Sequence, residues 1–545
     1  MYEVIQFGRR GIKMKKFLAV LASLAMMVSL TGCGGGSDEN VFYYALDTEA
    51  SSLDSTVATD GASFTAIHQF IDGLTCRGED GEITKALAED YSTSEDGLTW
   101  TFKIRDDANW ENGDPVTAND FVYAWTRLLK NGGEYSSMFG PDGANIVNAT
   151  AIMEGTMEAD QLGVSAVNDK TLEIHLVTPC TFFLELMNFA VFYPQNQAFV
   201  EKVGEDKYAT SADNLLSCGA FKVTDYQQGS RITYEKNEEY YDADSVQLDG
   251  VEIYQAVESD TGTMGFENGD YDFVPISFEM VDKYTDSDAY YTYQQGYMHF
   301  IMFNYQNEQL QNINLRRAIS LAIDRNDFAK NVLKDGSVAA QGFVPSNLTE
   351  NSDGTDFRDA SGNYLSYDLT QAQQYLDAAL QELGVSEITL ELLYGNNEAP
   401  NDTCAEYLES ALSKLNGLKI EMKVETKTAR LDDMTNGNFD LAVTRWGPDF
   451  ADPTTYLTLY NSTNSNNDGK YSNPEFDAIL EQITNENDAN ARWQLMIQAE
   501  KMLMDDCAMV PIFEKGGTAL MNTDYEGLVI RVTGPNVLKY VHKAK

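Results

Sequence analysis

Four histidines, His68, His175, His299 and His542, are the whole supply of imidazole in 545 residues, and none stands at metal-ligand spacing. His175 and His299 fall inside strand patterns, where a structural role is expected. HExxH, GxSxG, Walker A and GxGxxG are all missing, so the sequence offers no zinc-protease helix, nucleophile elbow or phosphate cradle. Carboxylates are abundant, at 85, but no two stand out as an acid pair for glycoside hydrolysis. One loop has partial calcium spacing, with Asn464, Asn466, Asp468, Gly469 and Glu475 at positions 1, 3, 5, 6 and 12 of an EF-hand-like pattern. Asn opens it in place of Asp, and Pro474 would start a helix just before the Glu, so an Asn-rich turn is the reading. The expectation is a protein without catalytic residues, metal or cofactor.

A different chemistry stands in Arg445 to Pro453, RWGPDFADP. Asp452 and Pro453 form an N-cap and N1 pair, which accounts for them locally. Trp446 and Asp449 have no such account, being an aromatic and a carboxylate in a glycine and proline turn behind the apolar run LAV. Either Trp446 is core and Asp449 closes an Asx turn, or the two face a ligand.

The net charge is −47, from 85 acidic and 38 basic residues, which leaves no basic stripe for nucleic acid and disfavours anionic lipid surfaces. With 43% hydrophobic and 11% aromatic residues, the acidity decorates packed domains, three or four by length. Lys13, Lys15 and Lys16 precede an uncharged run from Phe17 to Ser29 and then Leu30, Thr31, Gly32 and Cys33, the layout of an export signal too short to span a bilayer. LTGC resembles the bacterial lipobox, which implies cleavage after residue 32 and lipidation of Cys33, with residues 33–40 as a tether. Met14 looks like the natural start, so residues 1–13 read as an upstream extension. Removing residues 1–32 takes away five basic residues and one acidic residue and moves the net charge to −51. Cys76, Cys180, Cys218, Cys404 and Cys507 remain, an odd number with no CxxC, and Cys404 reads as a core residue.

These groups need a scaffold, and its elements are legible. Strands are expected at Asn40–Leu46, Leu98–Arg105 (LTWTFKIR), Thr171–Val177, Gly219–Tyr226, Arg231–Lys236, Gly250–Val257 and Met298–Asn304. Helices are expected at Ser63–Leu74, from Thr117 with Asp120 closing a capping-box variant, and behind Asn314 as a cap. Thr370–Leu383, ITLELLY, Asp402–Leu415 and LKIEMKVE give αβαβ order, hence a partly parallel sheet. A helix over Asn490–Met504 precedes a β-rich end near Met509.

The segment DGLTWTFKIRDDANWENGDPVTANDFVYAWTRL, Asp96 to Leu128, resembles the signature of the bacterial extracellular solute-binding proteins, family 5, the peptide and nickel receptors of ABC importers. Similar segments follow in order at Ser217–Tyr241, Phe266–Val274, Ile313–Arg325 and Arg445–Leu457. The resemblance implies an α/β, two-lobed periplasmic-binding-protein-like fold (type II, cluster C) with an extra subdomain in the N-terminal lobe. Lobe I would comprise 41–71, 194–295 and 511–545, the extra subdomain 72–193, and lobe III 296–510. The strand at Met298–Asn304 and the crossing at Met509–Phe513 would form the hinge.

The resemblance assigns Asp449 to a peptide's α-ammonium, and Thr59, Asp60 and Gly61 with Arg445, Trp446 and Gly447 to pairing with its backbone. It places Cys180 and Cys218 in neighbouring loops, where a disulfide is conceivable. It also exposes departures. Val443 and Met434 stand where some relatives bind the peptide carboxylate, leaving Arg445, Arg430 or Lys427 as substitutes, and Gly447 with Gly296 stand where a family disulfide would be. The implied protein is a monomeric, lipid-anchored, extracytoplasmic receptor at the outer face of the cytoplasmic membrane that passes oligopeptides to an ABC permease and ATPase. Dipeptides, oligosaccharides or nickel are the alternative ligands, and a pheromone sensor or surface hydrolase the alternative classes.

Overall fold

The computed structural model describes residues 40–545 apart from Asp80, Asp142 and Asn397, so the signal segment and Cys33 lie outside the described residues. Strand β1 (Val41–Ala45) leads to helix α1 (Gly61–His68), shorter than the helix expected over Ser63–Leu74. Asp60 starts it by accepting the Ser63 N–H at 2.8 Å. Tertiary partners end it, because the Phe70 carbonyl accepts from the Cys218 and Gly219 amides instead of continuing the turn. Gly73 then runs so close to Met187 that a Cβ would lie 2.2 Å from the Met187 carbonyl oxygen.

Next come β2 (Ala88–Thr93), β3 (Thr99–Ile104), α2 (Ala118–Asn131), β4 (Val164–Asn168) and β5 (Thr171–His175). Their strands form an antiparallel sheet in the order β2-β3-β5-β4. In β3 the expected alternation holds, with Phe102 and Ile104 fully buried and Lys103 exposed. The capping box of α2 forms as anticipated, the Thr117 N–H donating to the Asp120 carboxylate at 2.8 Å. Burial pushes the Asp120 carboxyl up to about 6 against the hydrogen bonds that favour its charge. Phe121, Ala124, Trp125 and Leu128 are all buried, and the Trp125 indole N–H donates to the Phe192 carbonyl.

Strands β6 (Phe221–Gln227), β7 (Arg231–Lys236), β8 (Gly250–Tyr254), β9 (Phe273–Pro275) and β10 (Tyr290–Phe303) follow. After them the αβαβ segment extends by one unit as α3 (Leu369–Leu383), β11 (Ile388–Gly395), α4 (Asn401–Leu412), β12 (Leu418–Glu425), α5 (Lys427–Thr435) and β13 (Leu441–Trp446). Helices α6 (Pro474–Asn485) and α7 (Ala489–Asp505) precede β14 (Met509–Met521). One mixed sheet runs β12-β11-β13-β10-β14-β9-β1-β8-β7-β6, with the short strand Val338–Ala339 added to β14. β11 pairs in parallel with β12 and β13, as the αβαβ order requires. The helix at Ile313–Leu321 is capped by Asn312 and not by Asn314, whose N–H is one of those capped.

The fold is α/β and two-lobed, and β10 and β14 are the strands its halves share. In β14, Ala519 belongs to the core built on Phe42, Phe70 and Trp125, whereas Val510 and Phe513 belong to the core built on Leu315, Leu390 and Cys404. β10 behaves likewise, Tyr291 and Tyr293 packing on the first core and Ile301 in the second. Only the Met298 end of β10 was legible as a strand. Its other half, YYTYQQGY, is polar and aromatic, and Gly296 at φ 75° sits within a register shift between Gln294 and Met298.

His68, on α1, is buried and its Nδ1 lies 2.5 Å from the Tyr193 hydroxyl, which itself donates to the Asn188 carbonyl, so Nδ1 carries the hydrogen. Burial pushes this imidazole down to about 4. The unfolded chain therefore takes up a proton first as pH falls, and the folded state loses up to about 3 kcal/mol between about pH 6.5 and 4 from this group. Urea midpoints measured from pH 7 to 4 are expected to fall more steeply for the parent protein than for His68→Asn, and identical slopes would refute this.

Candidate functional site

β13 delivers the Trp turn to the shared strands. Arg445 and Trp446 lie opposite His299 and Met298 in the ladder with β10. Gly447 follows because the Tyr297 ring fills its side-chain space, a Cβ there falling 2.4 Å from Tyr297 Cε1. At Gly296 a Cβ would meet the Pro448 ring at 2.9 Å. The positions that could have carried a family disulfide are thus filled by a tyrosine and a proline ring. The Tyr456 hydroxyl donates to the Gly296 carbonyl at 2.5 Å, and the Arg445 guanidinium lies 5.4 Å from the Tyr297 ring centroid. These contacts tie the turn to the bulge of β10.

Asp449 itself is exposed at the tip, its main-chain N–H donating to Thr455 Oγ1 at 3.1 Å. Asp452 caps the next turn through the Thr454 N–H at 3.0 Å, and Arg492 from α7 grips its carboxylate at 2.6 and 3.0 Å. Phe450 is buried and stacks on Phe182 with ring centroids 3.9 Å apart.

Across from the turn, Thr59 and Gly61 are exposed, and a Cβ on Gly61 would meet nothing within 4 Å. Asp60 is occupied otherwise. It accepts from Ser51 and Ser63, whose hydrogen bonds outweigh the opposing effect of burial and hold its carboxyl below the usual range. Tyr135 joins the two segments. Its ring packs edge-on against Phe64 and Phe189, and its phenol is pushed up to about 12 by burial and then by the charge of Asp449, with Tyr297, Glu134 and Asp60 adding to it.

Beside this group opens a cavity of about 960 Å³, whose wall includes Tyr135, Phe182, Trp446, Asp449, Phe450 and Arg492. Trp446 is partly buried, and its indole N–H has no hydrogen-bond partner among the described residues. Thr59, Asp60, Gly61, Arg445 and Gly447 do not line this cavity, so the structure brings together only part of the expected set. Tyr135, Tyr297 and the Phe182–Phe450 stack were not anticipated. Tyr135 lies in a short 3-10 helix, Tyr297 on β10 beside its register shift, and Phe182 and Phe450 in turns, segments without a clear periodic signal, and only the fold brings them to Asp449.

Arg430 is not available as a carboxylate partner, since it is buried against Glu398 at 2.7 and 3.1 Å and also donates to Thr444. Cys180 and Cys218 are not bonded, and all five described cysteines are free and buried. Their surroundings differ: the charges near Cys180 are Asp452 and Arg492, and those near Cys218 are Asp72, Asp120 and Glu111. Burial pushes both thiols up. In the calcium-like loop Asn464 closes a turn on the Asn466 N–H, while Asn473 caps α6. Among the described residues no group of three or more His, Cys, Asp or Glu could hold a metal, and no helix is long and apolar enough to cross a membrane. His299 is fully enclosed and stacks on Phe513, whereas His175 is half-exposed between Glu173 and Thr99.

The family described as bacterial extracellular solute-binding proteins, family 5 Middle, matches residues 82–468. The dipeptide-binding protein DppE of Bacillus subtilis (strain 168) is 30% identical over 547 residues, covering 97% of this chain and 99% of the relative. Among solved structures, Listeria monocytogenes OppA bound to peptide is 33% identical, with a TM-score of 0.72 over 93% of this chain and 100% of that one. The pheromone receptor PrgZ is 30% identical, again with a TM-score of 0.72 and the same coverage.

Proposed function

This chain belongs to the bacterial extracellular solute-binding proteins, family 5, and on that premise we propose that it captures oligopeptides between two closing lobes and delivers them to an ABC permease and ATPase. Members of the family are substrate-binding proteins, so the site has to hold and release and not to react. The observation that carries the reading is Asp449, an exposed carboxylate on a turn fastened to a shared strand, at the rim of a cavity large enough for a peptide.

In this reading Asp449 takes the α-ammonium, with the Trp446 side chain as part of the cavity wall beside it. The backbones of Thr59 to Gly61 and Arg445 to Gly447 pair with the peptide main chain, which leaves sequence choice broad. β10 and β14 serve as the hinge between lobe I with its extra subdomain and lobe III. The LTGC sequence supports a lipid on Cys33 as the tether of a monomer on the outer face of the membrane, to be read from the mass of the mature N-terminus.

Binding to the folded form raises stability by mass action, by about 2.7 kcal/mol at a hundred times Kd, which for a chain of this size is about 2–3 °C in Tm. Peptides of two to ten residues are expected to give that shift, and stabilisation by sugars or nickel alone would sink the peptide reading. The likeness to a pheromone receptor favours signalling as a second reading. One strongly preferred peptide in the same screen would support it, and many comparable peptides would support nutrient uptake.

A further inference from the structure

The cavity wall is strongly one-sided in charge. Glu134, Asp449, Asp477 and Glu481 line it, and Arg492, the single cation of its wall among the described residues, is already neutralised by the two contacts to Asp452. Asp477 and Glu481 stand four residues apart on α6, with Thr484 continuing the same face into the cavity. Like charges at that spacing destabilise a helix. Among the described residues no salt bridge joins Glu134, Asp477 or Glu481 to a cation, although Asp477 accepts from the Ser462 N–H at 3.0 Å and its hydroxyl at 2.7 Å. The remaining wall near the turn is aromatic, from Tyr135, Phe182, Trp446 and Phe450, and aromatic faces attract cations.

Building on the peptide reading above, we propose that this cavity is a side-chain pocket for basic residues near the peptide's N-terminus, with Asp477 and Glu481 setting the preference. Once Asp449 holds the α-ammonium, a nearby Lys or Arg side chain enters a space walled by carboxylates, where its charge is welcome. A Glu side chain enters against the same charges, with only a neutralised arginine to meet it. A low-dielectric concave wall focuses that difference.

The test uses three pentapeptides that differ only in Lys, Ala or Glu at one of the first three positions, titrated calorimetrically into the parent protein and into Asp477→Asn/Glu481→Gln. Expected is an order Lys, Ala, Glu, with about tenfold between Lys and Ala at low salt and less at high salt. In the double variant the Lys-to-Ala ratio should shrink to about threefold or below. Equal affinities for all three peptides in the parent protein would overturn the pocket while leaving peptide capture intact. An unchanged ratio in the double variant would overturn the role of α6. Failure of every peptide to bind would overturn the peptide reading itself, and this pocket with it.

Discussion

Asp449→Asn is expected to weaken peptides with a free N-terminus by roughly ten- to a hundredfold, and N-acetylated versions of the same peptides hardly at all. A charge-assisted hydrogen bond to an enclosed ammonium is worth about 1.5–3 kcal/mol, and the amide keeps the shape while losing the charge. The turn keeps the bond from the Asp449 main-chain N–H to Thr455, which does not depend on the charge of the side chain. Calorimetric titration with matched free and acetylated peptides separates the alternatives. Equal losses for both would mean that Asp449 acts by shaping the turn, and the ammonium would then need another partner.

The largest expected loss of stability lies elsewhere, at Glu500 on α7. Its carboxylate is fully buried and accepts from five donors: the Phe343 and Val344 N–H groups at 2.9 Å, the Arg358 guanidinium at 2.6 and 2.7 Å, and the Ser361 hydroxyl at 2.5 Å. Arg358 completes its own set with the Val344 and Gly362 carbonyls, in space left open by Gly342, where a Cβ would lie 1.9 Å from the guanidinium. Glu500→Leu strands a buried cation and two backbone donors, so about 5 kcal/mol is expected from chemical unfolding. Arg358→Met leaves Glu500 three donors and should cost less, about 3 kcal/mol. The double replacement should fall below the sum of the two, yet remain destabilised, because the Phe343 and Val344 amides still lack an acceptor. A loss under about 2 kcal/mol for Glu500→Leu would contradict this account.

That network reaches the ligand site by packing. Phe343 meets Tyr456 edge-on at 5.8 Å, and Tyr456 holds the Gly296 carbonyl at the bulge of β10. A damaged Glu500 is therefore expected to loosen the Trp turn as well as the core.

What could be read in advance follows the range of the forces involved. The alternation in LTWTFKIR, the Thr117 and Asp120 box, the end of the Thr370–Leu383 helix and the αβαβ order are set by residues within a few positions of one another, and the fold reproduces each. Where a distant partner competes, local reading fails. Phe70 should have stayed helical, but its carbonyl accepts from Cys218 and Gly219. Asn314 looked like a cap, and Asn312 takes that place two residues earlier.

The sequence by itself determined the family, many strands of the large sheet and several of the longer helices, the acidic character, and Asp449 with Trp446 as the residues to watch. Periodicity, capping chemistry and motif order are properties of neighbouring residues, so they survive without a fold. Only the tertiary structure decided that Tyr135 sees both Asp449 and Asp60, that Arg430 is spent on Glu398, that Cys180 and Cys218 stay apart, and that Asp477 and Glu481 face the same cavity as Trp446. Those relations join residues tens to hundreds of positions apart, and their signs depend on burial and distance, which exist only once the sheet has brought its two halves together on β10 and β14.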